Sequence, residues 1–118
     1  MIRVGAIGCG EHATAAIWPL FGPAGIHCVA AWSRSRERVD AATARFGIER
    51  AYTDLGQMLD ECELDGVIVI VPPVGFAPVI HAAIDRGLHV FAEKPGAETA
   101  AQARSIADAA PVIAPPEK

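Results

Sequence analysis

No stretch of this 118-residue sequence approaches the uninterrupted apolar length of a membrane helix, although 52% of its residues are hydrophobic. The longest apolar run, residues 67–73, is only strand-sized. No basic region followed by an apolar stretch opens the chain, so no secretory signal is read there. The cysteines are few and odd in number. Cys9, Cys28 and Cys62 lack metal-ligand spacing, and they fit a reduced, cytoplasmic setting without a metal site. Basic excess is missing as well: a net charge of −4 argues against nucleic acid as the main partner, because a phosphate backbone demands a basic face. The length suffices for one domain with its own core.

What the sequence does have is concentrated in its first dozen residues. Residues 2–7 read as a buried strand, Gly8-Cys9-Gly10 breaks it, and residues 11–20 read as a helix kinked or ended by Pro19. Strand, glycine turn and helix in succession make the phosphate-binding corner of a dinucleotide-binding βαβ unit. Gly8 permits the tight turn, and Gly10 lets the backbone approach a pyrophosphate without an intervening Cβ. The amides and positive dipole end of the helix then face the anion. Ala13 takes the third glycine position of G-x-G-x-x-G, small enough for close packing of helix on strand.

The remainder alternates regularly. Strands are expected over residues 27–32, 48–52, 67–71 and 89–92. Between them fall helices over 36–46, capped by Ser35 and stopped by Gly47, over 55–61, capped by Thr53 or Asp54, and over 75–86, closed by Gly87. A last, alanine-rich helix begins at Thr99 and runs to about residue 109. Repeated β-α units with short connections predict a doubly wound parallel sheet in a three-layer α/β/α sandwich, the Rossmann fold, over residues 1–110. Residues 111–118 either begin a sixth strand or form a Pro-rich tail or linker toward a second domain, and their composition favours the linker.

In such folds the ligand lies beyond the carboxyl ends of the strands. That selects Gly8, Cys9, Gly10, Glu11 and His12; Ser33 and Arg34; Val71, Pro72 and Pro73; and Glu93, Lys94 and Pro95. The second group bears on the cofactor. NAD sites usually carry a carboxylate at the end of strand two, bonded to the adenosine ribose. Here Ser33 and Arg34 stand there, which removes repulsion of a 2′-phosphate and adds a guanidinium able to bind it, so NADP is preferred over NAD. The bland reading makes Arg34, Arg36 and Arg38 a solvated loop and helix face, and the ribose-phosphate role is assigned to Ser33 and Arg34 only. Among the histidines only His12 falls near the ligand, as a pyrophosphate contact. Phe76, a lone aromatic after the proline pair, is a cofactor-stacking residue or simply core.

These segments together resemble the N-terminal domain of the glucose–fructose oxidoreductase, inositol dehydrogenase and rhizopine-catabolism (Gfo/Idh/MocA) family. The resemblance rests on Val4-Gly-Ala-Ile-Gly-Cys-Gly10, Trp18-Pro19-Leu20, Ser33-Arg34 with Glu37-Arg38, Tyr52-Thr-Asp54, Pro72-Pro73 and Gly87-Leu-His-Val-Phe-Ala-Glu-Lys-Pro95. It implies an NAD(P)-dependent oxidoreductase acting on a sugar, a cyclitol or a similar hydroxyl or ketone. By the same resemblance Lys94 is the catalytic residue near the nicotinamide and the substrate oxygen, Pro95 fixes the turn that aims it, and Glu93 is structural or a cofactor contact. The stretch from Pro73 to Ala77 departs from the family in lacking a polar side chain. The family's second domain, which completes the substrate pocket and carries the association surface, is absent from these residues. The expected partners are therefore a small carbohydrate-like substrate, a C-terminal domain or partner chain, and a possible homo-oligomer formed through an apolar patch near the last helix. The other reading is a stand-alone dinucleotide-binding regulatory or interaction module without turnover of its own.

Overall fold

The computed structural model of the chain describes residues 2–72, 75–93 and 99–109, and of Phe76 the backbone only. Five strands, β1 (Ile2–Ile7), β2 (Ile26–Trp32), β3 (Arg50–Tyr52), β4 (Gly66–Val69) and β5 (His89–Ala92), form one sheet in the order β3-β2-β1-β4-β5. Every adjacent pair is parallel. Four α-helices, α1 (Arg36–Phe46), α2 (Leu55–Glu61), α3 (Phe76–Asp85) and α4 (Ala100–Ala109), join or follow the strands.

Both faces of the sheet carry packed apolar residues, although one face stays open in a groove over β1, β4 and β5. On one face Ile7, Val67 and Val69 pack with Met58 of α2 and Val79, Ile80 and Ala83 of α3. On the other, Val4, Ala6, Ala31 and Ile68 pack with Ala13, Trp18 and Phe21, and with Val39 and Ala42 of α1. The chain leaves β1 toward β2 on one side and β4 toward β5 on the other. The crevice between β1 and β4 is therefore the topological switch point.

Local chemistry explains the element ends. Ser35 Oγ accepts from the Arg38 N–H at 3.2 Å as expected, Asp54 rather than Thr53 caps the next helix, its Oδ1 accepting from the Gln57 N–H at 3.0 Å, and Thr99 Oγ1 accepts from the Gln102 N–H at 3.1 Å. Three boundaries differ from expectation. The first helix is not regular: after Glu11 and His12 it widens into a π-helix, Ala13–Ile17, and then tightens into a 3₁₀ turn, Trp18–Leu20. Pro19 has no N–H to continue an α-helical ladder, and the chain closes instead through Phe21 N–H to the Trp18 carbonyl at 3.1 Å. β3 starts at Arg50, because the Ile48 N–H still bonds back to the Thr43 carbonyl at 2.9 Å as part of the α1 terminus. β4 ends at Val69. On the β1 side the partner turns away at Gly8 after one last bond, Ile70 N–H to Ile7 carbonyl at 2.9 Å, so Val71 has no β1 residue to pair with.

Among the described residues the large exposed apolar side chains gather away from α4. α4 rests on α3 through Ile106, whereas the exposed Ile2, Leu20 and Phe91 border a groove of about 440 Å³ beside the Trp18–Leu20 turn. The tail, residues 110–118, lies outside the described residues.

Candidate functional site

A cleft of about 500 Å³ opens at the carboxyl ends of β1, β2 and β4. Gly8 and Cys9 form its floor, Ser33, Arg34, Ser35 and Arg38 one wall, and Ile70, Val71, Pro72, Gly75, Pro78 and Val79 the other, with Leu55 and Trp32 between them.

The two glycines of the first loop have different reasons for being glycine. Gly8 has φ +102°, and a Cβ there would sit 2.0 Å from the Ile70 carbonyl oxygen. Its place is dictated from inside the protein, where the end of β4 presses against the turn. Gly10 has no such constraint: a Cβ would meet nothing within 4 Å, and its φ is not positive. The open space before it, at the amide end of a helix, is the room an incoming anion requires. Ala13, completely buried, supplies the close helix-to-sheet contact.

Electrostatics divide the three arginines after β2. Arg36 bonds to Asp40, to the Ala51 carbonyl and to Thr53. Arg34 and Arg38 are exposed, line the cleft, and have no acidic partner among the described residues. Ser33 Oγ accepts from the Ser35 N–H at 3.2 Å, which shapes the loop that carries Arg34. Cys9 Sγ lies 3.5 Å from the Trp32 carbonyl oxygen, and burial pushes its thiol up to about 11, so it is no nucleophile at neutral pH.

The sequence-selected residues thus fall into three groups. Gly8, Cys9, Ser33, Arg34, Val71 and Pro72 share the cleft. Gly10 and Glu11 border an adjoining groove toward α1, which shares Cys9 and Arg38 with the cleft. His12 lies outside the cleft lining: its Nε2 is 3.3 Å from Glu93 Oε2, which ties the glycine loop to the end of β5. Pro73, Lys94, Pro95 and the side chain of Phe76 are outside the described residues. Trp32, Arg38, Leu55, Pro78 and Val79 line the cleft without having been singled out. Arg38 had a readable signal, since it falls in the first turn of the helix that Ser35 caps, directly after Arg34. Leu55 had none, because only the crossover from β3 brings it here.

With this geometry in view, comparison with known proteins is decisive. Residues 2–112 match the model of the GFO_IDH_MocA oxidoreductase family, NAD-binding Rossmann fold. The chain belongs to the Gfo/Idh/MocA oxidoreductase family. Among curated Gfo/Idh/MocA-like relatives it is 33% identical over 111 residues to dTDP-3,4-didehydro-2,6-dideoxy-α-D-glucose 3-reductase of Streptomyces violaceoruber, covering 92% of this chain and 32% of the reductase. It is 36% identical over 76 residues to D-xylose 1-dehydrogenase (NADP(+)) 2 of Haloferax volcanii, covering 64% of this chain and 23% of that enzyme. Among solved structures it is similar to KijD10, a 3-ketoreductase from Actinomadura kijaniata in complex with TDP-benzene and NADP. That likeness has a TM-score of 0.83 and 34% identity over 92% of this chain and 34% of KijD10. The chain spans less than a third of the length of these curated relatives.

Proposed function

We propose that this chain is the cofactor-binding domain of an NADP-preferring oxidoreductase whose substrate is a sugar, a cyclitol or a similar hydroxyl or ketone compound. The observation that carries the cofactor preference is the pair Arg34 and Arg38. They line the same cleft as the Gly8-Cys9 turn and have no acidic partner among the described residues. The residues present fit a dinucleotide part by part. The unobstructed face of Gly10 and the helix amides behind it receive the pyrophosphate. Ser33 and Arg34 receive the ribose 2′-phosphate together with Arg38, which extends the assignment from sequence by one residue. The apolar wall of Ile70, Val71, Pro72, Pro78 and Val79 leaves the base a dry surface. When bound, the nicotinamide supplies or accepts the hydride.

The reacting end falls to Lys94 in this reading. An ammonium beside the substrate oxygen hydrogen-bonds the developing alkoxide and orients the substrate for transfer. Support comes from its neighbour in sequence: Glu93 reaches His12 of the glycine loop, so β5 delivers the chain to the edge of the cofactor site. The substrate class is supported by the sugar reductase and dehydrogenase among the relatives. A second domain, reached from residue 110 onward or provided by a partner chain, completes the substrate pocket in this reading, and the whole protein is a possible homo-oligomer. A cytoplasmic setting agrees with Cys9, Cys28 and Cys62 all being free thiols.

Calorimetry with NADPH and NADH tests the proposal. Arg34→Ala is expected to weaken NADPH binding by about tenfold or more, the effect of losing a charge-assisted contact, with NADH nearly unchanged. Equal losses for both cofactors would remove the phosphate assignment.

A further inference from the structure

Arg36 stands between Arg34 and Arg38 in sequence, yet it does not line the cleft. Its guanidinium points the opposite way, to the carboxyl end of β3. One nitrogen donates to the Ala51 carbonyl at 3.3 Å and to Asp40 at 3.3 Å, and the other donates to Thr53 Oγ1 at 3.4 Å. The same two segments are joined twice more. The Ser33 N–H donates to the Tyr52 carbonyl at 3.2 Å, and the Trp32 indole N–H to the Thr53 carbonyl at 3.0 Å. The β3 end is itself anchored from behind, because the Tyr52 hydroxyl and the Arg50 guanidinium both donate to Glu61 Oε2 of α2, at 3.0 and 3.1 Å.

We propose that Arg36 is a positioning residue for cofactor choice. It never meets the cofactor; it clamps the first turn of α1 to β3 and so holds Arg34 and Arg38 facing the cleft. The inference rests on the reading that those two arginines take the 2′-phosphate. Its physical basis is preorganisation: an ordered loop has less freedom to lose when its cationic side chains close on a dianion. Only a guanidinium suits the task, because its planar fork spans a main-chain carbonyl and a hydroxyl at once, which a compact ammonium cannot do. NADH, lacking the phosphate, does not draw on this order.

The test measures NADPH and NADH affinities by calorimetry on the full chain. Arg36→Ala is expected to weaken NADPH about three- to tenfold while NADH stays within about twofold. A general loss of folding would move both together, so the ratio is the readout. Arg36→Lys keeps the charge and is expected to recover only part of the NADPH affinity. Thr53→Val removes the hydroxyl acceptor without altering charge, and should shift the ratio in the same direction. The double variant Arg36→Ala/Thr53→Val should be no weaker than Arg36→Ala alone, since both cut one contact. Full recovery by Arg36→Lys would show that bare charge suffices and would overturn the proposal, as would additive single effects or equal losses for both cofactors. The underlying reading fails separately. A wild-type chain with no preference for NADPH, or an Arg34→Ala variant that loses none, removes the phosphate site and this inference with it. A normal loss in Arg34→Ala beside an unchanged Arg36→Ala sinks the positioning role alone.

Discussion

Replacing Gly8 and Gly10 by alanine, one at a time, should separate folding from binding within a three-residue loop. At Gly8 the new methyl would arrive 2.0 Å from the Ile70 carbonyl oxygen and 3.1 Å from Val71 Cγ1, on a backbone with φ +102°. The backbone conformation alone costs an alanine about 1–3 kcal/mol. Relieving the overlap requires main-chain movement at the end of β4, which adds about 1–3 kcal/mol by analogy with overpacked cores. Together these amount to about 2–6 kcal/mol, a large share of the roughly 5–15 kcal/mol typical of a whole domain. At Gly10 the methyl meets no atom within 4 Å, so stability should stay within about 0.5 kcal/mol or rise slightly. There the damage should appear in binding, because the methyl occupies the approach of the pyrophosphate; a loss of at least about tenfold in NADPH affinity is expected. Urea unfolding followed by circular dichroism reads the first effect and calorimetry the second. A Gly10→Ala variant that folds and binds NADPH like the wild type would refute the loop as the pyrophosphate cradle. A Gly8→Ala variant of undiminished stability would refute the packing argument.

Two further outcomes follow from the core. Met58, completely buried beneath the sheet, should lose about 2–5 kcal/mol of stability on substitution by alanine, and a urea-melt difference below about 1 kcal/mol would contradict its central place. Alkaline pH should destabilise the fold. Burial pushes the Cys9 and Cys28 thiols from 9.0 to about 11 and about 12, and burial with hydrogen bonds to Cys62 and Glu61 also raises the Tyr52 phenol. The unfolded chain therefore releases these protons first, so stability is complete below about pH 9 and falls as pH rises toward 11. A urea midpoint at pH 10.5 equal to or above that at pH 8 would count against this.

Sequence reasoning succeeded where the determining chemistry is local. The strand at residues 2–7, the glycine break and the Ser35 cap each act within a few residues of themselves and are where they were read, and of the two candidates before the next helix it is Asp54 that caps it. The errors lie where the partner is distant. That β4 stops at Val69 depends on β1 having turned at Gly8, some sixty residues earlier in the chain. That the imidazole of His12, beside the glycines, lies 3.3 Å from Glu93 is likewise set by residues some eighty positions apart, which no local signal announces. Arg36 and Arg38 look equivalent in sequence; only β3, brought alongside by pairing with β2, turns Arg36 toward Ala51 and Thr53 while Arg38 lines the cleft. The π-helical widening after His12 likewise has no signature in residue type beyond the proline that ends it.

The strand order carries a consequence for how such a domain changes over time. β2, which bears the arginines, and β5, which leads to Lys94, are separated in the sheet by β1 and β4. At about 4.8 Å per strand spacing, that is roughly 14 Å of rigid, hydrogen-bonded material. On the proposed assignment of the arginines to the ribose phosphate and of Lys94 to the reaction, substitutions that retune the taste for a phosphorylated or plain ribose can accumulate on one flank without disturbing the other.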